Sequence, residues 1–398
     1  MNLRRRVERL GLIHNRLSAK AVEQRIPISG SFELLPLCNF TCRMCYVRAD
    51  RSSVRKAGGL KPASWWLDRA RQAADAGWLF PLLTGGEPFL YPGFPELVDG
   101  MSRMGLQISI NTNGSLIDEE TIAWLKTCVP ARINLTLYGA SRETYSRLCG
   151  NGRAFDQVVR AADLLSEAGI RFRFNCSLTP DNAGDLDGML ELAAGYGKGL
   201  RLSTYMLPPI RRTGVSGDFE ARFSPERAAY YEVLLNFRQS TPENFRRLAH
   251  NAVRYREPTE EQLRQAEAGP AGEMRCLSGR CSFWVDWQGN LSNCGVNDYP
   301  RVSLDEYDFA EAWQKIVDHT NAFRFSPPCT NCINKGVCFS CAAAVYNETG
   351  SFSGRPTYLC EKAKYSAKWY RYFLEQLPEE SEISPAEVTE HDCPIEEF

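Results

Sequence analysis

Three cysteines stand within eight residues: Cys38, Cys42 and Cys45, in the run LCNFTCRMCY. They follow an apolar run that reads as a strand, so the spacing puts three thiols on one short loop. A cube of four irons held by three cysteines keeps one iron open to another ligand. Zinc would want a fourth ligand close by, and the nearest histidine is His14. Eight more cysteines lie between Cys276 and Cys360, spaced Cys276-x4-Cys281-x12-Cys294, then Cys329-x2-Cys332-x5-Cys338-x2-Cys341, then Cys360. Eight thiols equal two full cubes at four each. One cluster with spare thiols, or zinc sites with four thiolates, are the metal alternatives. Cys128, Cys149, Cys176 and Cys393 stand alone. Fifteen cysteines in 398 residues are too dilute for a disulfide scaffold. Their odd number and clustering fit metal binding better.

The elements that must position these thiols show in the apolar periodicity. SFELLPL (31–37), WLFPLLTGG (78–86), LQISINTNG (106–114), RINLTLYG (132–139), IRFRFNCSL (170–178) and LRLSTYM (200–206) read as strands. Amphipathic stretches at 62–78, 153–169 and 184–196 read as helices. This alternation implies βαβ units and a parallel sheet. Six strands are few for a closed eight-stranded barrel, so an open or partial barrel and a doubly wound sheet both suit the pattern. Four strands carry one polar face. Asn134, Thr136 and Tyr138 oppose Ile133, Leu135 and Leu137; Arg171, Arg173, Asn175 and Ser177 oppose Phe172, Phe174, Cys176 and Leu178. A sheet covered on both faces would be apolar on both, so these strands predict a curved sheet with a wet concave side.

The sequence predicts five segments: a basic helical segment over 1–30, an α/β domain over 31–240, a helical connection over 241–275, a loop-rich cysteine domain with a closing helix over 276–376, and a disordered acidic tail over 377–398. Net charge is −1. Residues 379–398 hold eight acids and no Lys or Arg, and the first 25 residues hold seven Lys/Arg against two Glu. A solvated helix with a disordered tail explains this pattern; a basic surface that receives an acidic partner or phosphates is the sharper reading. No basic–aromatic interleaving points to nucleic acid, and no apolar run is long enough to span a membrane. The N-terminus lacks a secretory signal, so a reducing cytoplasm is expected.

The CxxxCxxC run after the first strand resembles the signature of the radical S-adenosylmethionine (SAM) superfamily, whose core is a partial (β/α)6 barrel. Thr84-Gly85-Gly86-Glu87-Pro88 resembles that family's GGEP-type motif, which binds the methionyl amino group. Asn111, Thr112, Asn113 and Gly114 end the third strand, and Thr136 sits where many members have a polar residue near the SAM ribose and carboxylate. Arg147 is a candidate partner for that carboxylate. Met44 occupies the adenine-contacting position before the third cysteine, which is often aromatic, and Tyr46 follows it. The resemblance implies that SAM chelates the open iron and that one electron cleaves it to a 5′-deoxyadenosyl radical, which abstracts hydrogen from a substrate.

Residues 276–360 resemble the SPASM domain, a C-terminal partner of radical SAM barrels that mature peptides. Its pattern ends CxxxC where this chain has Cys338-x2-Cys341. By resemblance, one auxiliary cluster takes Cys276, Cys281, Cys294 and Cys341, and the other takes Cys329, Cys332, Cys338 and Cys360. The cofactors implied are three 4Fe-4S clusters and SAM.

Eleven ligands leave only the SAM-binding iron open, so the auxiliary clusters suit electron transfer and a net oxidation. The expected function is oxidative modification of a peptide, such as a crosslink in a ribosomally made one, with a small molecule (sugar, nucleotide or amino acid) as the alternative substrate. A non-enzymatic electron carrier would need neither GGEP nor an open iron. A flavodoxin or ferredoxin is the expected electron donor. About 30 residues precede the first strand, too few for a winged-helix leader-binding domain, so a separate leader-binding protein is a possible partner. Tyr138 and Tyr205 lie on polar strand faces, where core packing and a catalytic, substrate-facing role are both open. Gly295 stands after Cys294, where sulfatase-maturing relatives carry an acid, which argues against formylglycine formation. MLPPIRRTG (206–214) reads as a basic loop at the lumen mouth.

Overall fold

The computed structural model describes residues 16–206, 222–273, 276–297, 299–338 and 340–377. Residues 1–15, most of the basic loop, Cys393 and the acidic tail lie outside the described residues. The strands are β1 (Ser29–Glu33), β2 (Phe80–Thr84), β3 (Ser109–Thr112), β4 (Arg132–Thr136), β5 (Phe172–Ser177), β6 (Leu200–Ser203), β7 (Gly272–Glu273), β8 (Ser282–Val285), β9 (Asn290–Ser292), β10 (Val302–Ser303) and β11 (Arg324–Phe325). Contacts group the chain into two compact units. One takes the described parts of 21–222 and 275–323; the other takes those of 1–20, 223–274 and 324–398.

In the first unit, β1 to β6 pair in sequence order, all parallel. Helices Ala63–Asp75, Phe94–Arg103, Glu119–Leu125, Ala154–Glu167 and Leu186–Gly195 fall between successive strands, as crossovers of parallel strands require. The apolar face of each strand is buried: Ile133, Leu135, Phe174 and Ile110 have no exposed surface. On the opposite face Asn111, Thr136, Arg173 and Asn175 keep partial exposure. The core beneath β1 is aromatic. Phe32 lies 4.7 Å from both Trp66 and Trp78, and Trp78 lies 5.2 Å from Phe283. Burying Phe32 alone contributes roughly 1.5–3 kcal/mol.

The sheet continues past β1, a difference from the loop-rich reading of 276–360. β8 pairs parallel with β1, and β9 and β10 follow antiparallel, so the sheet has nine strands in the order β10-β9-β8-β1-β2-β3-β4-β5-β6. Phe283 and Val285 are buried while Ser282 and Trp284 are half-buried. Four residues of alternation are too short to stand out in the sequence. The compact units therefore cut across the expected boundaries at 240 and 276.

In the second unit, helices Pro225–Gln239 and Pro242–Ala252 pack on the closing helix Thr357–Leu374. Val233, Phe245, Ala249, Tyr370 and Phe373 form its core. Phe237 stacks on Phe373 at 4.8 Å, and Asn236 Nδ2 donates to Tyr370 Oη at 2.8 Å. The segment expected as a connection thus carries part of this unit's core. Among the described residues no helix is long and apolar enough to cross a membrane.

Candidate active site

The three-cysteine loop leaves the end of β1 and is pinned on two sides. Gly86 N–H donates to Leu35 O at 2.7 Å and Glu87 N–H to Leu37 O at 3.0 Å, so the GGEP segment runs against the start of the loop. Gly85 has φ of 152°, and a Cβ there would meet Leu35 O at 2.5 Å; a Cβ on Gly86 would run into Leu37 O. Only glycine allows this approach. On the other side, Thr41 N–H and Oγ1 donate to Cys149 O at 2.9 and 3.2 Å, and Arg43 N–H donates to Leu148 O at 3.3 Å. Helix Arg142–Cys149 ends there on Gly150 at φ of 73°, the left-handed stop glycine adopts without strain.

Glu87 has no exposed surface. Its Oε1 accepts from Thr112 Oγ1 at 2.8 Å and Phe89 N–H at 3.2 Å, and its Oε2 accepts from Asn113 N–H at 2.8 Å. Burial pushes its carboxyl up to about 7, despite these three donors. The carboxylate therefore ties the end of β2 to the end of β3. A polar cluster carries that tie to the cysteines. Asn113 Nδ2 donates to Asn39 Oδ1 at 2.9 Å, Asn39 Nδ2 to Ser115 Oγ at 2.8 Å, and Ser115 Oγ to Asn113 Oδ1 at 2.7 Å. Asn113 Nδ2 also lies 3.9 Å from Cys38 Sγ. Asn39 and Ser115 were not singled out in the sequence, although both adjoin residues that were.

Tyr138 is half-buried on the same face of its strand as Thr136. Cys149 and Tyr138 both act on Cys42, and Cys149 is the main cause that lowers the Cys42 thiol below its ordinary range. Burial raises Tyr138 well above the usual phenol value. Cys149 is buried; its helix-to-loop contact had no signal in the sequence beyond a lone thiol. Arg147 turns to the protein itself: its Nε donates to Asp181 O at 3.0 Å and an Nη to Thr144 Oγ1 at 3.1 Å. Asp181 also pairs with Arg43 at 3.2 Å. Asn111 Oδ1 accepts from Asn134 Nδ2 at 2.7 Å. Met44, Tyr46, Thr136 and Tyr205 are half-buried. Asn175 Oδ1 is buried with no hydrogen-bond partner among the described residues, on the polar face of β5.

The donor set fits an iron–sulfur cube beside a small ligand. The three thiols are free, and two glycines hold backbone close to the loop. Among the described residues no three Cys, His, Asp or Glu side chains are drawn together as for one metal ion; in a cube each thiolate takes a different iron.

In the second unit, Cys329, Cys332, Cys338 and Cys360 all line one cavity of about 120 Å³. Asn334 braces its wall, accepting from Arg256 N–H at 3.0 Å and donating to Arg256 O at 2.7 Å. In the first unit, Cys281 is buried and its carbonyl accepts from Ser29 N–H of β1 at 3.1 Å, while Cys276 is exposed and Cys294 half-buried after β9. Cys341 caps helix Ala342–Thr349, its Sγ accepting from Ala344 N–H at 3.3 Å.

Residues 32–193 match the family model of the radical SAM superfamily. They are a radical SAM domain. The protein is an enzyme that carries this domain. The chain is 25% identical over 343 residues to the AdoMet-dependent heme synthase of Nitratidesulfovibrio vulgaris, covering 80% of this chain and 88% of that one. It is 26% identical over 300 residues to the mycofactocin maturase MftC of Mycolicibacterium smegmatis, covering 75% and 72%. In fold it is similar to Streptococcus suis SuiB bound to the precursor peptide SuiA, with a TM-score of 0.61, 17% identity and coverage of 88% and 80%. The radical SAM domain thus begins on β1 and ends in the helix before β6.

Proposed function

We propose that this radical SAM enzyme oxidatively modifies a peptide, using a SAM-binding cluster on Cys38, Cys42 and Cys45 and auxiliary clusters on the C-terminal cysteines. When bound, the first cluster and SAM supply a radical able to abstract hydrogen. The chain's own part is to hold the thiols and to brace the SAM-binding segment. Gly85 and Gly86 bring backbone to the loop; Glu87, Asn113, Asn39 and Ser115 hold that backbone in register. Arg147, Thr136, Asn111, Met44 and Tyr46 are proposed SAM contacts, with Arg147 acting from its place on Asp181. Tyr205 is proposed to face substrate, and Tyr138 to act on Cys42 instead.

The observation that carries the oxidative part is the cavity that gathers Cys329, Cys332, Cys338 and Cys360. Four thiols fully ligate a cube, leaving a centre that can accept electrons but not substrate. A relative named mycofactocin maturase and a fold likeness to a structure bound to a precursor peptide support the substrate class. A second reading, a small molecule of the kind a heme synthase acts on, is favoured by the relatives of that name.

Anaerobic incubation with SAM and dithionite tests both readings. 5′-Deoxyadenosine is expected, and its absence from fully reconstituted protein would refute a radical SAM reaction. Mass spectrometry of short peptides encoded beside this chain's gene should then show loss of two hydrogens. An unchanged peptide, with turnover of a heme precursor, would select the second reading.

A further inference from the structure

The residues just after the third cysteine carry an unbalanced positive charge. Arg51, Arg55 and Lys56 belong to the helix Arg51–Lys56, and all three are exposed. Some other exposed bases have acidic partners: Arg142 pairs with Asp156, Lys364 with Glu257 and Lys368 with Glu226. Arg51, Arg55 and Lys56 have no ion-pair partner among the described residues. Asp50, at the start of the helix, offsets one of these three charges and leaves a net of two positive charges over 50–56. Its Oδ1 accepts from Ser53 N–H and Ser52 Oγ at 2.7 Å each, capping the helix.

This patch adjoins the three-thiol loop. Arg48 N–H donates to Cys45 Sγ at 3.4 Å. A cavity of about 320 Å³ is lined by Leu37, Cys38, Arg48, Arg51 and Leu90, among others, so Cys38 and the patch share one opening. A cluster held by this loop would take its electron from outside, one at a time, and this opening reaches Cys38. Unpaired exposed cations around it would attract a carrier of opposite charge and orient it on approach.

We infer that the helix Arg51–Lys56 is the docking surface for a small acidic one-electron carrier protein, which delivers its electron past Cys38. The carrier is oxidised by one electron and the centre on the loop is reduced by one; no bond is made or broken in the transfer. This rests on the proposed cluster assignment.

The test uses the full chain with Arg55→Glu and Lys56→Glu together, leaving Arg51 in place so that the cavity keeps its wall. Flavodoxin is the probe, and dithionite is the comparison reductant. With dithionite, 5′-deoxyadenosine formation should equal that of the unsubstituted chain. With reduced flavodoxin, KM for flavodoxin should rise about tenfold, and its dependence on salt should flatten. Direct titration of oxidised flavodoxin onto the chain without SAM should show the same loss of affinity, which reads the patch even if turnover fails. The milder Arg55→Gln/Lys56→Gln pair should give an intermediate loss. Unchanged flavodoxin affinity in both variants would overturn the inference. So would weaker substrate binding in the dithionite reaction with unchanged flavodoxin affinity, because the patch would then serve substrate.

Discussion

Glu87 is a carboxylate buried at the meeting of two strand ends. Its carboxylate is enclosed by Thr112, Asn113 and Phe89, so in this structure it orders the GGEP segment. Its folded carboxyl sits at about 7, against an ordinary 4.5. A raised carboxyl favours the folded state most when protonated. That contribution is fully present below pH 4.5 and is lost as pH rises through about 7. Glu87→Gln cannot titrate, so its denaturation midpoint should vary less over that window than that of the parent chain. The amide also presents one acceptor where the carboxylate presents two, costing about 1–3 kcal/mol; urea denaturation of the two chains checks both effects. Tyr138 and Cys149 make a second prediction at this scale. Both lower the Cys42 thiol, and a donor brought to a ligating sulfur would raise a cluster's potential by favouring its reduced form. Tyr138→Phe and Cys149→Ala should each lower the midpoint potential of the reconstituted first cluster, read by EPR-monitored titration. An unmoved potential with full iron content would remove both residues from that role.

Between elements, the tight crossings are the vulnerable points. Gly86→Ala would press a methyl group into Leu37 O, which is backbone and cannot turn aside. The expected result is poor reconstitution of the first cluster with normal far-UV circular dichroism, since the clash lies beyond the strands. The β1–β8 junction is a different case. Trp284 Nε1 donates to Glu33 Oε2 at 3.1 Å, and Glu33 has no exposed surface. Trp284→Phe keeps the ring and removes one donor from a buried carboxylate, so a loss of about 1–3 kcal/mol in chemical denaturation is expected. The six parallel strands were legible because each alternates, or runs apolar, over five or more residues between turn signals. β8 was not, because its four residues gain their meaning only from β1, some 250 positions earlier in the chain.

Across the whole molecule, the prediction concerns cluster inventory. Three cubes correspond to about twelve irons per chain. Cys329→Ala with Cys332→Ala removes two of the four thiols that line the second unit's cavity. Iron content should fall by about one third, 5′-deoxyadenosine should still form with dithionite, and the oxidised product should not accumulate. Product formation at the parent rate would refute the role of that centre as electron acceptor.

The sequence by itself determined the radical SAM core: the CxxxCxxC loop, the GGEP segment and the parallel strands. All are local signals, since a short loop's ligand spacing and a strand's periodicity are set by residues a few positions apart. It also grouped the C-terminal cysteines, although only through resemblance. Tertiary structure decided the rest. It joined β8–β10 to the main sheet, moved helices Pro225–Gln239 and Pro242–Ala252 onto the closing helix, and buried Glu87 among backbone donors. It also turned Tyr138 and the lone Cys149 toward Cys42. Each of these depends on surfaces brought together from distant parts of the chain, where burial and hydrogen-bond satisfaction, rather than local pattern, set the outcome.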